Sequence, residues 1–299
     1  MPEGIVLKVS NNFYVVHTSR GELVCQVTGR LKRERILTDL VAAGDRVIVA
    51  ERSGTPQIVE VLPRRSRLSR RAPDPHQRER SVREQVIVAN PDQAVFVFAC
   101  QQPDPHLRML DRYLVTAEVE DIPAIVVANK VDLVGPDAAR AKFGVYERIG
   151  YPVHYTSARF GEGVEALRAR LKGTLSVVSG PSGVGKSSLL NAMQSGLGLA
   201  ARTVSAATGK GRHATVAVQL LPFDGGYIAD TPGARALGLW DVAPDQIAWG
   251  FREFRPFLGA CKFNDCRHVD EPGCAVHAAV ERGEISRERH ESYVRMLKE

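Results

Sequence analysis

The spacing of apolar residues changes character near residue 90. Between residues 4 and 62, short apolar runs are broken by turn formers: Ile5-Val6-Leu7-Lys8-Val9, Phe13-Tyr14-Val15-Val16, Glu22-Leu23-Val24-Cys25-Gln26-Val27, Arg46-Val47-Ile48-Val49-Ala50 and Gln57-Ile58-Val59-Glu60-Val61. Asn11-Asn12, Ser19-Arg20-Gly21, Ala43-Gly44-Asp45 and Gly54-Thr55-Pro56 punctuate them, as hairpins and loops require. Five short strands in so little chain predict a small barrel. The five-stranded oligonucleotide-binding (OB) type is preferred, with an SH3-like barrel barely separable from it by pattern alone.

Farther on, strands alternate with helices. Ala94-Val95-Phe96-Val97-Phe98-Ala99-Cys100 is wholly apolar, as in a parallel sheet buried on both faces. Leu107, Leu110, Leu114 and Val115 have helical spacing within 107–120. Ala124-Ile125-Val126-Val127-Ala128, Val153-His154-Tyr155-Thr156-Ser157-Ala158 and Thr174-Leu175-Ser176-Val177-Val178-Ser179 read as further strands, and 163–172 as a helix stopped by Gly173. Val216–Leu221 and Gly226–Ala229 follow as strands, then helices over 274–282 and 286–298. The expectation is a multidomain chain: a β-barrel over 1–63, a linker over 64–84, an α/β domain over 85–240 and a mainly helical domain over 241–299.

Composition adds little: 44% hydrophobic and 25% charged residues suit a globular protein with a sizeable core. No apolar run approaches the ~18 residues that span a bilayer, and the first residues lack a secretory pattern. Five cysteines argue against a disulfide framework, so a reducing cytoplasm is expected. Charge adds more. The net +6 is concentrated between Val61 and Arg83, where eight arginines (64, 65, 67, 70, 71, 78, 80 and 83) face only Asp74 and Glu79. Elsewhere acids and bases cancel. A polyanionic partner is preferred over a merely solvated linker, since several arginines can meet several phosphates.

Four motifs carry chemistry. Gly180-Pro181-Ser182-Gly183-Val184-Gly185-Lys186-Ser187 fits G-x-x-x-x-G-K-[ST] between a predicted strand and a helix that opens at Ser188. Its glycines let the backbone curl around phosphate, Lys186 would reach the terminal phosphates, and the Ser187 hydroxyl would hold magnesium. Asn129-Lys130-Val131-Asp132 fits N-K-x-D directly after a buried strand. The Asp132 carboxylate can accept from both guanine donors, its ring N–H and amino group, which selects GTP over ATP. Asn129 can bridge base and phosphate loop, and the Lys130 stem can cover the base. Ser157-Ala158 would turn the Ala158 amide to the guanine carbonyl. Asp230-Thr231-Pro232-Gly233 fits D-x-x-G, in which Asp230 engages the magnesium shell and the Gly233 amide senses the γ-phosphate. The basic, glycine-rich stretch 207–215 before it is expected to be mobile.

The order is unusual, because both base-reading motifs precede the phosphate loop and the D-x-x-G loop follows it. Close domain termini permit such a permutation. Near the end, Cys261-x4-Cys266-x-His268-x5-Cys274 offers three thiolates and an imidazole, a donor set for one structural zinc, with His277 as reserve ligand.

Together these features resemble the bacterial small-subunit-dependent GTPase A family (RsgA, or YjeQ) across nearly the whole chain. The resemblance implies an OB-fold barrel, a circularly permuted P-loop GTPase domain and a zinc-binding domain. It also implies a late assembly factor that binds the small ribosomal subunit, with barrel and zinc domain touching rRNA, and that hydrolyses GTP to GDP there with magnesium. No membrane association is implied, and a monomer is expected. The family's switch loop usually reads G-x-H-T-T-T, whereas this chain has Gly211-Arg212-His213-Ala214-Thr215-Val216. Thr215 remains as γ-phosphate and magnesium sensor, and the outer threonine roles are empty. Many GTPases place a water-orienting glutamine after D-x-x-G. Ala234 stands there, so His213 is the candidate to position water. An RNA-binding scaffold that seldom turns GTP over is the alternative, and a P-loop kinase is disfavoured by Asp132 and the D-x-x-G loop.

Overall fold

The computed structural model describes all residues except 11, 30, 32–39, 53, 72–83, 195–217, 231–241 and 299; for residues 52, 70, 71 and 230 it describes the backbone only. Strands β1 (Glu3–Ser10), β2 (Phe13–Thr18), β3 (Gly21–Val27), β4 (Arg46–Arg52) and β5 (Thr55–Val61) close a barrel in the order β1-β2-β3-β5-β4. Its β3–β5 pair is parallel and the rest antiparallel. Val6, Val16, Cys25, Val47, Val49 and Ile58 fill it, so Cys25 is a core residue. The turn between strands also docks the barrel. Gly44 has φ +90°, and a Cβ there would lie 2.0 Å from the Ala89 carbonyl oxygen, so only glycine permits the approach.

The sequence reading treats 64–84 as a linker. The structure instead pairs β6 (Arg67–Arg71) with β7 (Glu84–Ala89) in an antiparallel ribbon. Leu68 and Val88 are fully buried there, and apolar burial organises a segment whose arginines and prolines suggest none. Among the described side chains, those of Arg64, Arg65 and Arg67 are engaged. The Arg64 guanidinium grips the fully buried Asp45 through Nε–Oδ1 (2.7 Å) and Nη2–Oδ2 (2.8 Å). Arg65 reaches Asp92, and Arg67 reaches Glu84.

The central sheet has the order β10-β9-β8-β11-β13-β12, with β8 (Gln93–Ala99), β9 (Ala124–Asn129), β10 (Val153–Thr156), β11 (Leu175–Ser179), β12 (Leu220–Phe223) and β13 (Gly226–Asp230). All neighbours are parallel except β12–β13. Alternation along β8 sorts the two layers. Phe96 and Phe98 pack with α1 (Leu107–Val119) and α2 (Pro136–Arg148), whereas Val95, Val97 and Ala99 pack with α3 (Val164–Leu171) and α4 (Lys186–Met193). Helix α2 buries Ala139, Phe143 and Tyr146.

The C-terminal unit comprises α5 (Pro244–Gly250), a 3-10 turn (Arg252–Phe257), α6 (Ala275–Glu281) and α7 (Arg287–Met296). It docks on the outer side of α1. Arg289 is 2% exposed and bonds Asp111 of α1 (2.7 Å) and Glu253 (2.6 Å). Burial opposes its charge, but the two carboxylates hold the guanidinium well above its ordinary range. Arg252 and Arg255 both grip Glu118, and Arg252 covers the Tyr151 ring at 3.9 Å.

Candidate functional site

The chemistry gathers where the parallel strands end, the usual ligand crevice of such sheets. Lys130, one residue beyond β9, is in the left-handed conformation (φ 63°, ψ 40°) and opens a 3-10 turn, Val131–Leu133, that carries Asp132. Asn129 is 1% exposed and acts as a hub. Its Nδ2 donates to the Val184 carbonyl in the phosphate loop (2.9 Å). Its Oδ1 accepts from Thr156 Oγ1 (3.1 Å) and from the Ala158 amide (3.3 Å). Thus the amide expected to meet guanine is here turned to Asn129. Ser157 Oγ donates to Asp132 Oδ1 (2.6 Å), leaving the other carboxylate lone pairs to accept.

The phosphate loop joins β11 to α4. Gly180 lies so close to β8 that a Cβ would sit 2.0 Å from the Val97 carbonyl oxygen, and Gly185 (φ +94°) would place one 2.5 Å from Asn129 Nδ2. The Lys130 ammonium donates to the Gly183 carbonyl (2.7 Å) and to the Gln102 carbonyl. Partial burial lowers its pKa, countered by Asp132. Lys186 Nζ donates to the Gly180 (2.7 Å) and Pro181 (2.8 Å) carbonyls. The first turn of α4 carries no acid, so the amide dipoles there favour an anion. Asn129, Lys130, Asp132, Ser157, Ala158 and the loop Gly180–Ser188 are therefore brought together. His213, Thr215 and Gly233, and the side chain of Asp230, lie outside the described residues.

The second centre is the C-terminal Cys-His cluster. Ligand atoms of Cys261, Cys266, His268 and Cys274 all lie within 4.8 Å of one another. Cys261 Sγ is 3.4 Å from His268 Nδ1 and 4.0 Å from Cys274 Sγ, and Cys274 Sγ is 3.6 Å from the same nitrogen. Tetrahedral zinc with its usual bond lengths separates such donors by about 3.5–3.8 Å, so the set fits. Burial, reinforced by the Cys274 and Cys261 thiols, pushes the Cys266 thiol up to about 12; a bound dication reverses that, because coordinating thiols are deprotonated. Burial also lowers His268, which keeps its imidazole neutral and able to ligate. The reserve ligand His277 faces Glu281 instead (3.5 Å).

The model of the RsgA GTPase family matches residues 61–240. The chain belongs to that family. A Gemmatimonas aurantiaca protein named small ribosomal subunit biogenesis GTPase RsgA is 48% identical over 99% of this chain and 96% of its own length. The protein of that name from Caldanaerobacter subterraneus is 39% identical over 99% and 95%. Among solved structures, YjeQ from Thermotoga maritima is 37% identical with a TM-score of 0.76, covering 99% of this chain and 96% of its own. YloQ, described as a circularly permuted GTPase, also has a TM-score of 0.76 at 29% identity, covering 100% and 94%.

Within this RsgA-family fold, several residues around both centres escape motif reading. Thr156 fixes Asn129, and the Gln102 carbonyl braces Lys130. Glu271 accepts from the Arg267 (3.0 Å) and Val269 (2.9 Å) amides beside His268. Burial opposes its ionisation, but these amides bring its carboxyl down to about 2. His290 Nε2 and Tyr293 Oη bond the His268 and Arg267 carbonyls. A half-buried acid between two ligands, His268 and Cys274, was the available signal, and in the sequence it looked like any surface glutamate.

Proposed function

We propose that the chain binds GTP in the Asn129 cradle and hydrolyses it to GDP on the small ribosomal subunit during late maturation, as a cytoplasmic monomer. The observation that carries this is the hub itself: one amide side chain ties the base-reading strand ends to the phosphate loop, a geometry suited to guanine nucleotides. Relatives 48% and 39% identical and named for small-subunit biogenesis support the subunit as partner. Asp132 reads guanine, Lys130 and Ala158 frame the base, and Gly180–Ser188 cradles the phosphates. Lys186 meets the terminal phosphates. Ser187, Asp230 and Thr215 hold the magnesium that neutralises charge between them. The Gly233 amide and Thr215 report the γ-phosphate, and His213 orients the attacking water. Cys261, Cys266, His268 and Cys274 hold one structural zinc, and the barrel and zinc unit contact rRNA.

The test is multiple-turnover GTP hydrolysis by the full chain with and without purified small subunits. Slow basal turnover, strong stimulation and retention of GTP affinity by His213→Ala, with stimulated kcat down by ~10²-fold, are expected. Binding of subunits without any stimulation would favour the scaffold reading, for which Ala234 is the motivating residue.

A further inference from the structure

The four residues between Cys261 and Cys266 form a display loop. Lys262, Phe263, Asn264 and Asp265 are all exposed, and Phe263 is 43% exposed. The same domain buries Phe251 and Phe254 completely, so it does not lack room in its core for aromatic rings. The loop is also held in place. The Lys262 amide donates to the Gly273 carbonyl (3.0 Å), and the Cys266 amide closes a turn on the Phe263 carbonyl (3.3 Å). Gly273 (φ +77°) lies beneath Lys262, where a Cβ would come 2.9 Å from the lysine Cβ. Lys262 Nζ stands 5.4 Å from the Phe263 ring centroid. The two ligand cysteines at the loop's ends, once on a metal, would anchor it further.

The charges nearby limit what such a loop can recognise. Lys262 and Arg267 are matched by Asp265 and Asp270, all four exposed. The loop is therefore not a general polyanion patch. What it offers is one exposed aromatic ring on a pinned backbone, with the Lys262 cation 5.4 Å from its centroid.

We propose that Phe263 is a stacking platform for an unpaired rRNA base, with Lys262 meeting the adjoining phosphate. The inference rests on the small subunit being the partner, and it assigns this contact to stacking rather than to charge. Every base has a π-face, and one stacked aromatic contributes enough that its removal is easily measured. Because the loop is pinned before binding, little ordering cost offsets that gain.

The experiment measures subunit affinity of the full chain carrying Phe263→Ala, Phe263→Leu or Phe263→Tyr, at two salt concentrations, with zinc content checked in each. Phe263→Ala and Phe263→Leu should each weaken binding about tenfold, by the same factor at both salts, while Phe263→Tyr binds like the parent. Full affinity in Phe263→Leu would mean an apolar protein contact and would overturn the proposal, as would parental affinity in all three. Should Phe263→Ala lose zinc, the contrast between leucine and tyrosine decides alone. A parent chain that does not bind subunits at all would instead refute the partner, a distinct result.

Discussion

Asn129 shows how one side chain can organise a nucleotide site. Its amide meets two other chain segments, the phosphate loop at Val184 and the end of β10 at Thr156 and Ala158, and Gly185 leaves it just enough space. Gly185→Ala should therefore abolish GTP binding without unfolding the domain, because the new methyl would collide with Asn129 Nδ2 and strain a left-handed residue. Asp132→Asn should weaken GTP sharply and ITP far less, since an amide cannot accept from both guanine donors and inosine lacks one. Fluorescent-nucleotide titration checks both. Equal GTP and ATP affinity in the parent chain would remove Asp132 from base recognition. These residues were legible in the sequence because phosphate and guanine dictate residue types at fixed spacing. Thr156, Gln102 and Glu271 were not, because they act through contacts that only folding creates.

Among elements, those with a clear apolar pattern stood out. The unbroken apolar run of β8 and the heptad-like leucines of α1 announced themselves. Helix α2 did not, although Ala139, Phe143 and Tyr146 recur at i, i+4 and i+7; its small residues and interspersed charges mask the stripe. The β6–β7 ribbon was hidden by its charge. The loop at 261–274 has few backbone hydrogen bonds of its own, and its sulfur atoms accept amides from Ala275 and His277. Purified protein should thus carry about one zinc per chain. Chelation should open trypsin cleavage after Lys262 and Arg267 while the nucleotide domain stays intact. An unchanged digest of demetallated protein would show that the loop folds without metal.

For the molecule as a whole, the arginine segment joins parts as well as carrying charge. Arg64 holds a buried aspartate of the barrel, whereas Arg65 makes an exposed pair with Asp92. Arg64→Ala should cost about 3–5 kcal/mol by stranding Asp45. Arg65→Ala should cost under about 1 kcal/mol, which makes it the variant suited to testing rRNA contact. Chemical denaturation distinguishes them, and equal losses would mean that the buried pair contributes nothing special. Domain types were readable from sequence, but this interdomain fastening was not, since Asp45 and Arg64 carry no motif.

The permuted order has a consequence for synthesis. In this chain the base-reading ends of β9 and β10 and the phosphate loop lie between Asn129 and Ser188, ahead of the D-x-x-G loop and the Cys-His unit. A chain emerging from a translating ribosome at its N-terminal end first exposes every residue of the proposed guanine cradle before the proposed γ-phosphate sensors, Thr215 and Gly233, and before the C-terminal unit that docks on α1. Nascent protein can thus acquire its ligand site before it acquires the means to respond to that ligand.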